Sequence, residues 1–247
     1  MAATVTFDTP SDLNLFSLNG QAGTLFTYNS TAGTNNTGGI VSNSTFQDRD
    51  AAVLLQGFSN SVGGTLTAQI DYRMHFQDTG PNVRLGFLTS TGGTFNFDVN
   101  EQVWAETYGA GDPNTVAYGA DGNWTALNNV SMTEGNWFRL RLNLLKTNST
   151  DYNATISLYD LGGSGTAAPT LLDMENLTFS APLLAAASQV YAGFFVHQSS
   201  DVVDNFTATP EPSSAILFIA AAALCLSGGN RRRTIKVLPS PGPTHPL

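Results

Sequence analysis

The stretch LTAQIDYRMHF, Leu66 to Phe76, decides how this chain folds. Leu66, Ala68, Ile70, Tyr72, Met74 and Phe76 alternate with Thr67, Gln69, Asp71, Arg73 and His75. A period of two is the pattern of a strand with one face buried and the other wet. WFRLRLNLLK, Trp137 to Lys146, repeats it, with Phe138, Leu140, Leu142 and Leu144 on one side and Trp137, Arg139, Arg141 and Asn143 on the other. YNATISLYD, Tyr152 to Asp160, does so a third time.

Shorter strands are expected at Thr4 to Phe7, Ala51 to Leu55, Val83 to Leu88, Phe95 to Val99, Leu171 to Met174, Val190 to His197 and Val202 to Thr207. Gly, Asn, Ser and Asp dominate the intervening links, such as Ser30 to Gly39, Ala110 to Asn123 and Gly162 to Ala168. No amphipathic helix stands out before residue 209. The pattern predicts an all-β fold, an antiparallel two-sheet sandwich over residues 1–209, with a closed barrel as the alternative.

Charge is divided unevenly. Eighteen acidic and six basic side chains precede Pro210, a net charge of −12, while the remainder holds four basic and one acidic. Phosphate contacts depend on Lys and Arg, so the acidic part is unsuited to nucleic acid or to an anionic membrane face. The single cysteine, Cys225, lies in the tail, which leaves the sandwich without a disulfide or a catalytic thiol. His75, His197 and His245 have no metal-ligand neighbours at useful spacing. Nine Asn-x-Ser/Thr triplets, among them those starting at Asn153 and Asn176, follow from the abundance of these residues rather than from glycosylation.

The tail is a separate unit. Twelve consecutive apolar residues, Ala215 to Leu226, lie between Pro210-Glu211-Pro212 and Arg231-Arg232-Arg233. As a helix, residues 213–229 would cover roughly 25 Å, slightly less than the hydrocarbon core of a bilayer, and so form a short transmembrane helix. The arginines would keep its far end cytoplasmic, placing the sandwich outside. Residues 234–247, rich in proline, are expected to be a disordered cytoplasmic tail.

This triplet, helix and arginine cluster, residues 210–233, resembles the PEP-CTERM sorting signal of exported Gram-negative bacterial proteins. The resemblance implies an exosortase-type processing enzyme as a partner, cleavage near the triplet, and a destination at the cell surface or in the extracellular matrix. It also implies a secretory signal peptide, and the opening MAATVTFDTP has neither a basic start nor an apolar run, so a truncated start is expected. VTFDTPSDLNLF, GNWFRLRLNL with ISLYDLGGSGT, and the closing YAGFFVHQSSDVVDNFTA resemble a concanavalin A-like or laminin-G-like jelly roll. That resemblance implies that the first and last strands pair, which would set Asp204-Asn205-Phe206 beside the Phe7 strand.

The jelly-roll family includes glucanases whose active strand carries ExDxxE, and EQVWAE, Glu101 to Glu106, keeps the outer spacing but has Val103 at the centre. Glycoside cleavage needs two carboxylates aimed into one cleft, and an offset of five on a regular strand sends Glu101 and Glu106 to opposite faces. No enzyme is expected. Asp48 with Asp50, and Asp201 with Asp204, offer oxygen ligands for calcium, the one conceivable cofactor. A sugar-binding face is the more concrete expectation. Asp71, Arg73 and His75 share one face of their strand and Trp137, Arg139 and Arg141 the polar face of theirs, so adjacent strands would join all six around an aromatic ring for extracellular polysaccharide. A structural surface protein without a small ligand is the alternative.

Overall fold

The computed structural model describes residues 2–19, 26–42, 50–73, 82–93, 95, 101–109, 113–196 and 201–211. In chain order its strands begin with β1 (Ala3–Val5), β2 (Phe16–Asn19), β3 (Phe26–Asn29), β4 (Gly39–Ser42) and β5 (Asp50–Ser59). β6 (Thr65–Arg73), β7 (Asn82–Leu88), β8 (Gln102–Tyr108), β9 (Asn114–Ala120) and β10 (Asn123–Val130) follow. β11 (Trp137–Lys146), β12 (Asp151–Gly162), β13 (Thr170–Ser180), β14 (Gln189–Val196) and β15 (Val202–Glu211) complete the described set.

Two antiparallel sheets result, as the alternation predicts. The first has the order β13-β12-β11-β6-β15-β4-β3, with β1 also on β15, and the second runs β10-β9-β8-β7-β14-β5-β2. Val5 faces Phe206 across β1 and β15, so the first and last described strands do pair. The alternating residues decide which face is covered. Leu66, Ala68, Ile70 and Tyr72 of β6, and Phe138, Leu140, Leu142 and Leu144 of β11, are buried against Val83, Leu85, Phe87, Val103 and Ala105 of the other sheet. Each such large apolar side chain contributes about 1.5–3 kcal/mol. At one end Phe7, Phe16, Phe194 and Phe206 interlock, with ring centroids 5.5 to 6.2 Å apart. Phe7 holds a left-handed φ of 50° there, a conformation that full burial of its ring stabilises.

Three sequence expectations need correction. The supposed link Ala110 to Asn123 contains β9, and β10 begins at its last residue. Phe95 is buried but lies in no strand, and residues 96–99 are outside the described set. The last strand continues past the expected Thr207 to Glu211, with Pro210 opposite Leu66 and Glu211 opposite Thr65, so two residues of the Pro-Glu-Pro triplet belong to the sheet. Pro212, the expected helix at 213–229, Arg231, Arg232, Arg233 and residues 234–247 lie outside the described residues. Among the described residues no helix is long and apolar enough to cross a membrane.

Candidate functional site

β6 and β11 are neighbours, which brings Asp71, Arg73, Trp137, Arg139 and Arg141 of the expected patch onto adjacent strands of the first sheet. Arg139 stands opposite Asp71 in the register and donates Nε and Nη2 to its two carboxylate oxygens at 2.6 and 2.8 Å. Asp71 is buried, and Asn205, at a left-handed φ of 47°, donates a further hydrogen bond to it. Beside it in the register, Asp204 accepts from the backbone N–H and the hydroxyl of Thr34 at 2.9 and 2.8 Å. Burial raises the Asp204 carboxyl above its ordinary range, the Thr34 and Asn205 hydrogen bonds oppose that rise, and the charge of Asp71 adds to it.

The aromatic part of the patch is not open. Trp137 is only 1% exposed and packs with Leu161 and Val202. The Arg73 guanidinium lies 5.3 Å from its ring centroid. The loop after β12 closes over it at Gly165, whose φ of +74° and tight approach to Thr34 and to Trp137 Cγ leave no room for a side chain. A sugar cannot stack on a covered ring, so Trp137 is not the platform that its polar-face position suggested. Arg141 donates to Asn143 at 3.2 Å, and His75 lies outside the described residues.

The other candidates separate. Glu101 precedes β8 at φ 71° and accepts the Thr89 hydroxyl at 2.7 Å. Glu106 is fully buried, so the two glutamates do not flank one cleft. Of the calcium candidates, Asp48 and the Asp50 side chain are outside the described residues, whereas Asp201 and Asp204 are buried. Among the described residues no three His, Cys, Asp or Glu side chains group as a metal site.

The outer face of the second sheet holds what the sequence did not disclose. Across its strands the register aligns Trp124, Gly119, Trp104, Gly86, Gly193 and Val53, and in the next row Ala126, Ala117, Glu106, Arg84, Phe195 and Ala51. Gly119 leaves the space in which the Trp104 indole lies flat, since a Cβ there would overlap the ring. Arg84 is held between the rings of Trp104 and Phe195, 4.5 and 4.8 Å from their centroids, and its Nε meets Glu106 Oε1 at 3.2 Å. Its Nη1 donates to the carbonyl of Phe95, whose ring completes a small apolar cluster with Trp104 and Phe195. From the edge strand, Trp124 donates its indole N–H to Glu106 Oε2 at 2.9 Å. Trp124 is 41% exposed and Tyr108 42%, and their rings meet edge to face at 6.4 Å. A buried ion pair thus fixes two half-open aromatic rings on a polar-edged face. Trp124 stands in NWTALNNV, just past the expected link and assigned to no strand, and its partner Glu106 in a motif weighed only for catalysis.

No family model and no curated protein sequence matches this chain. Solved structures do. The marine PL-14 alginate lyase from Aplysia kurodai superposes with a TM-score of 0.57 at 8% identity, covering 85% of this chain and 98% of its own. Lectin I-B4 from Griffonia simplicifolia, in its metal-free form, gives 0.53 at 7% identity over 86% of this chain and 100% of that one. The lectin from Bauhinia forficata in complex with GalNAc gives 0.52 at 8% identity, over 86% and 100%. The fold is a lectin-like jelly roll. At such identities the likeness is one of architecture, and the jelly roll's function has to be argued from its own side chains.

Proposed function

We propose that this protein is a non-catalytic carbohydrate-binding jelly roll that works outside the cell, with Trp124 and Tyr108 as the rings on which a sugar stacks. The observation that carries the reading is the half-open Trp124–Tyr108 pair held by Glu106. Sugars bind through aromatic faces with hydrogen-bonding groups beside them, and a ring fixed in advance loses little freedom on binding. The lectins of the same architecture support it by analogy. Catalysis is disfavoured because Glu106 is fully buried and has one oxygen on Arg84 and the other on Trp124, an arrangement that positions a ring rather than frees an acid. The ligand is an uncharged glycan, since a net charge of −12 before Pro210 repels uronic acids.

Export, membrane anchoring through residues 213–229 and processing by an exosortase-type enzyme at the 210–233 signal are part of the same reading, and rest on the resemblance of that tail. The test of the ligand is retention of the full chain on neutral polysaccharides. Trp124→Ala should lose up to about tenfold in affinity, the value of one aromatic contact, and should lower the melting temperature without unfolding the chain, because Glu106 loses a donor. Undiminished retention would remove this face from the account and favour a structural surface protein.

A further inference from the structure

The outer face of the first sheet carries a second array, away from the covered Trp137. Where Asn-x-Thr falls on a strand, its asparagine and threonine point to the same side. Asn153 and Thr155 on β12, and Asn176 and Thr178 on β13, do this in adjacent strands. The register lines up Thr67, Asn143, Thr155 and Asn176 in one row, and Thr65, Leu145, Asn153 and Thr178 in the next.

The hydrogen bonds within the array all run one way. Asn143 Oδ1 accepts from the Thr67 hydroxyl at 2.8 Å and from Arg141 Nε at 3.2 Å. Asn176 Oδ1 accepts from Thr155 at 2.9 Å, and Asn153 Oδ1 from Thr178 at 3.0 Å. Each carboxamide is therefore oriented by its oxygen, and its NH₂ group is turned to donate elsewhere. Asn143, Asn153 and Asn176 line a groove of about 370 Å³, with Leu145 as its apolar side and Thr65 and Thr178 at its ends. Among the described residues no ionisable side chain lines it.

We infer that this groove is a second glycan site, for an extended uncharged chain whose hydroxyl and ring oxygens accept from the three carboxamides. An uncharged lining of fixed donors suits a neutral, acceptor-rich polymer. It lacks the aromatic and apolar centre of a protein interface and the cations of a nucleic-acid site. The groove and the Trp124–Tyr108 pair lie on opposite outer faces of the sandwich, so one molecule holds two polysaccharide chains and acts as a cross-link. The groove stands by itself; only the cross-linking role rests on the Trp124 reading.

The experiment titrates the full chain with cellohexaose, laminarihexaose and mannohexaose by calorimetry. Asn153→Asp with Asn176→Asp keeps the oxygens that the threonines bond and replaces each NH₂ donor with a negatively charged acceptor, at two exposed positions that the core does not need. For at least one hexasaccharide, wild type should bind two equivalents, the double variant one and Trp124→Ala the other. The donor loss should weaken the groove site at least about tenfold, the value of two neutral hydrogen bonds. One equivalent lost with Trp124→Ala and untouched by the double variant would overturn the groove while leaving the first face standing. One equivalent lost with the double variant alone would uphold the groove and overturn the first face. Absence of binding to all three sugars overturns both.

Discussion

Trp124 reaches from an edge strand to the buried carboxylate of Glu106, 2.9 Å away, so an exposed ring takes its orientation from a charge that solvent does not reach. That relationship separates two roles of the indole. Trp124→Phe keeps an apolar ring and loses the N–H donor, so a glycan should bind it several-fold more weakly than wild type but more tightly than Trp124→Ala. Calorimetry on the three proteins would order them. Equal loss in both variants would show that orientation by Glu106, not ring area, carries the binding.

The Arg84–Glu106 pair is fully buried, and breaking such a pair leaves an uncompensated charge. Arg84→Met should cost about 3–5 kcal/mol of stability. Replacing both partners, with Glu106→Gln added, should recover much of that cost, because the orphan carboxylate is gone. Urea unfolding of the single and double variants provides the comparison; a double variant no more stable than the single would place the cost in the lost stacking on Trp104 and Phe195 instead.

Gly119 exists for the ring beside it. Gly119→Ala would drive a methyl into the Trp104 indole, and overpacking of this kind costs about 1–3 kcal/mol. Because Trp104 also packs on Arg84, the ion pair should shift with it, and Trp124 fluorescence should change while the other sheet keeps its structure. A melting temperature equal to that of wild type would mean that the Trp104 side of the face gives way freely.

The parts of the fold that the sequence disclosed are those buried on one side only. β6, β11 and β12 alternate cleanly because one face meets the core and the other meets solvent, and β11 spans the residues that its pattern delimits. β8 is buried on both faces from Gln102 to Thr107, so its alternation is lost. β9 carries small residues and glycine beneath the Trp104 ring and so imitates a link, and β10 is a polar edge strand, exposed over most of its length, that gives no strand signal. The same limit applied to sites. The polar faces of β6 and β11 were legible although their pairing was not, and the cover on Trp137 comes from Gly165 and Thr34, brought there by loops that no local pattern encodes. Glu106 could be weighed as an acid from its motif, whereas its partner Arg84 lies 22 residues earlier on the adjacent strand.

The Asp71–Asp204 pair makes stability depend on pH in a direction opposite to that of most surface carboxylates. Burial, with the charge of Asp71 adding to it, raises the Asp204 carboxyl above the ordinary 3.8. The folded chain therefore holds this proton more tightly than the unfolded chain does. Its stabilising contribution is fully present below pH 3.8 and is lost as pH rises through the raised native value. In that window Asp204 subtracts up to about 1.4 kcal/mol per pH unit from stability. Asp204→Asn removes the titration while leaving an amide oxygen for the Thr34 hydroxyl and backbone N–H. Urea unfolding from pH 3.5 upward should show wild type losing stability, relative to the variant, through the weakly acidic range, and the two curves running parallel at higher pH. A difference that is constant across the range would show that the carboxyl titrates normally, and that its hydrogen bonds from Thr34 and Asn205 offset its burial in full.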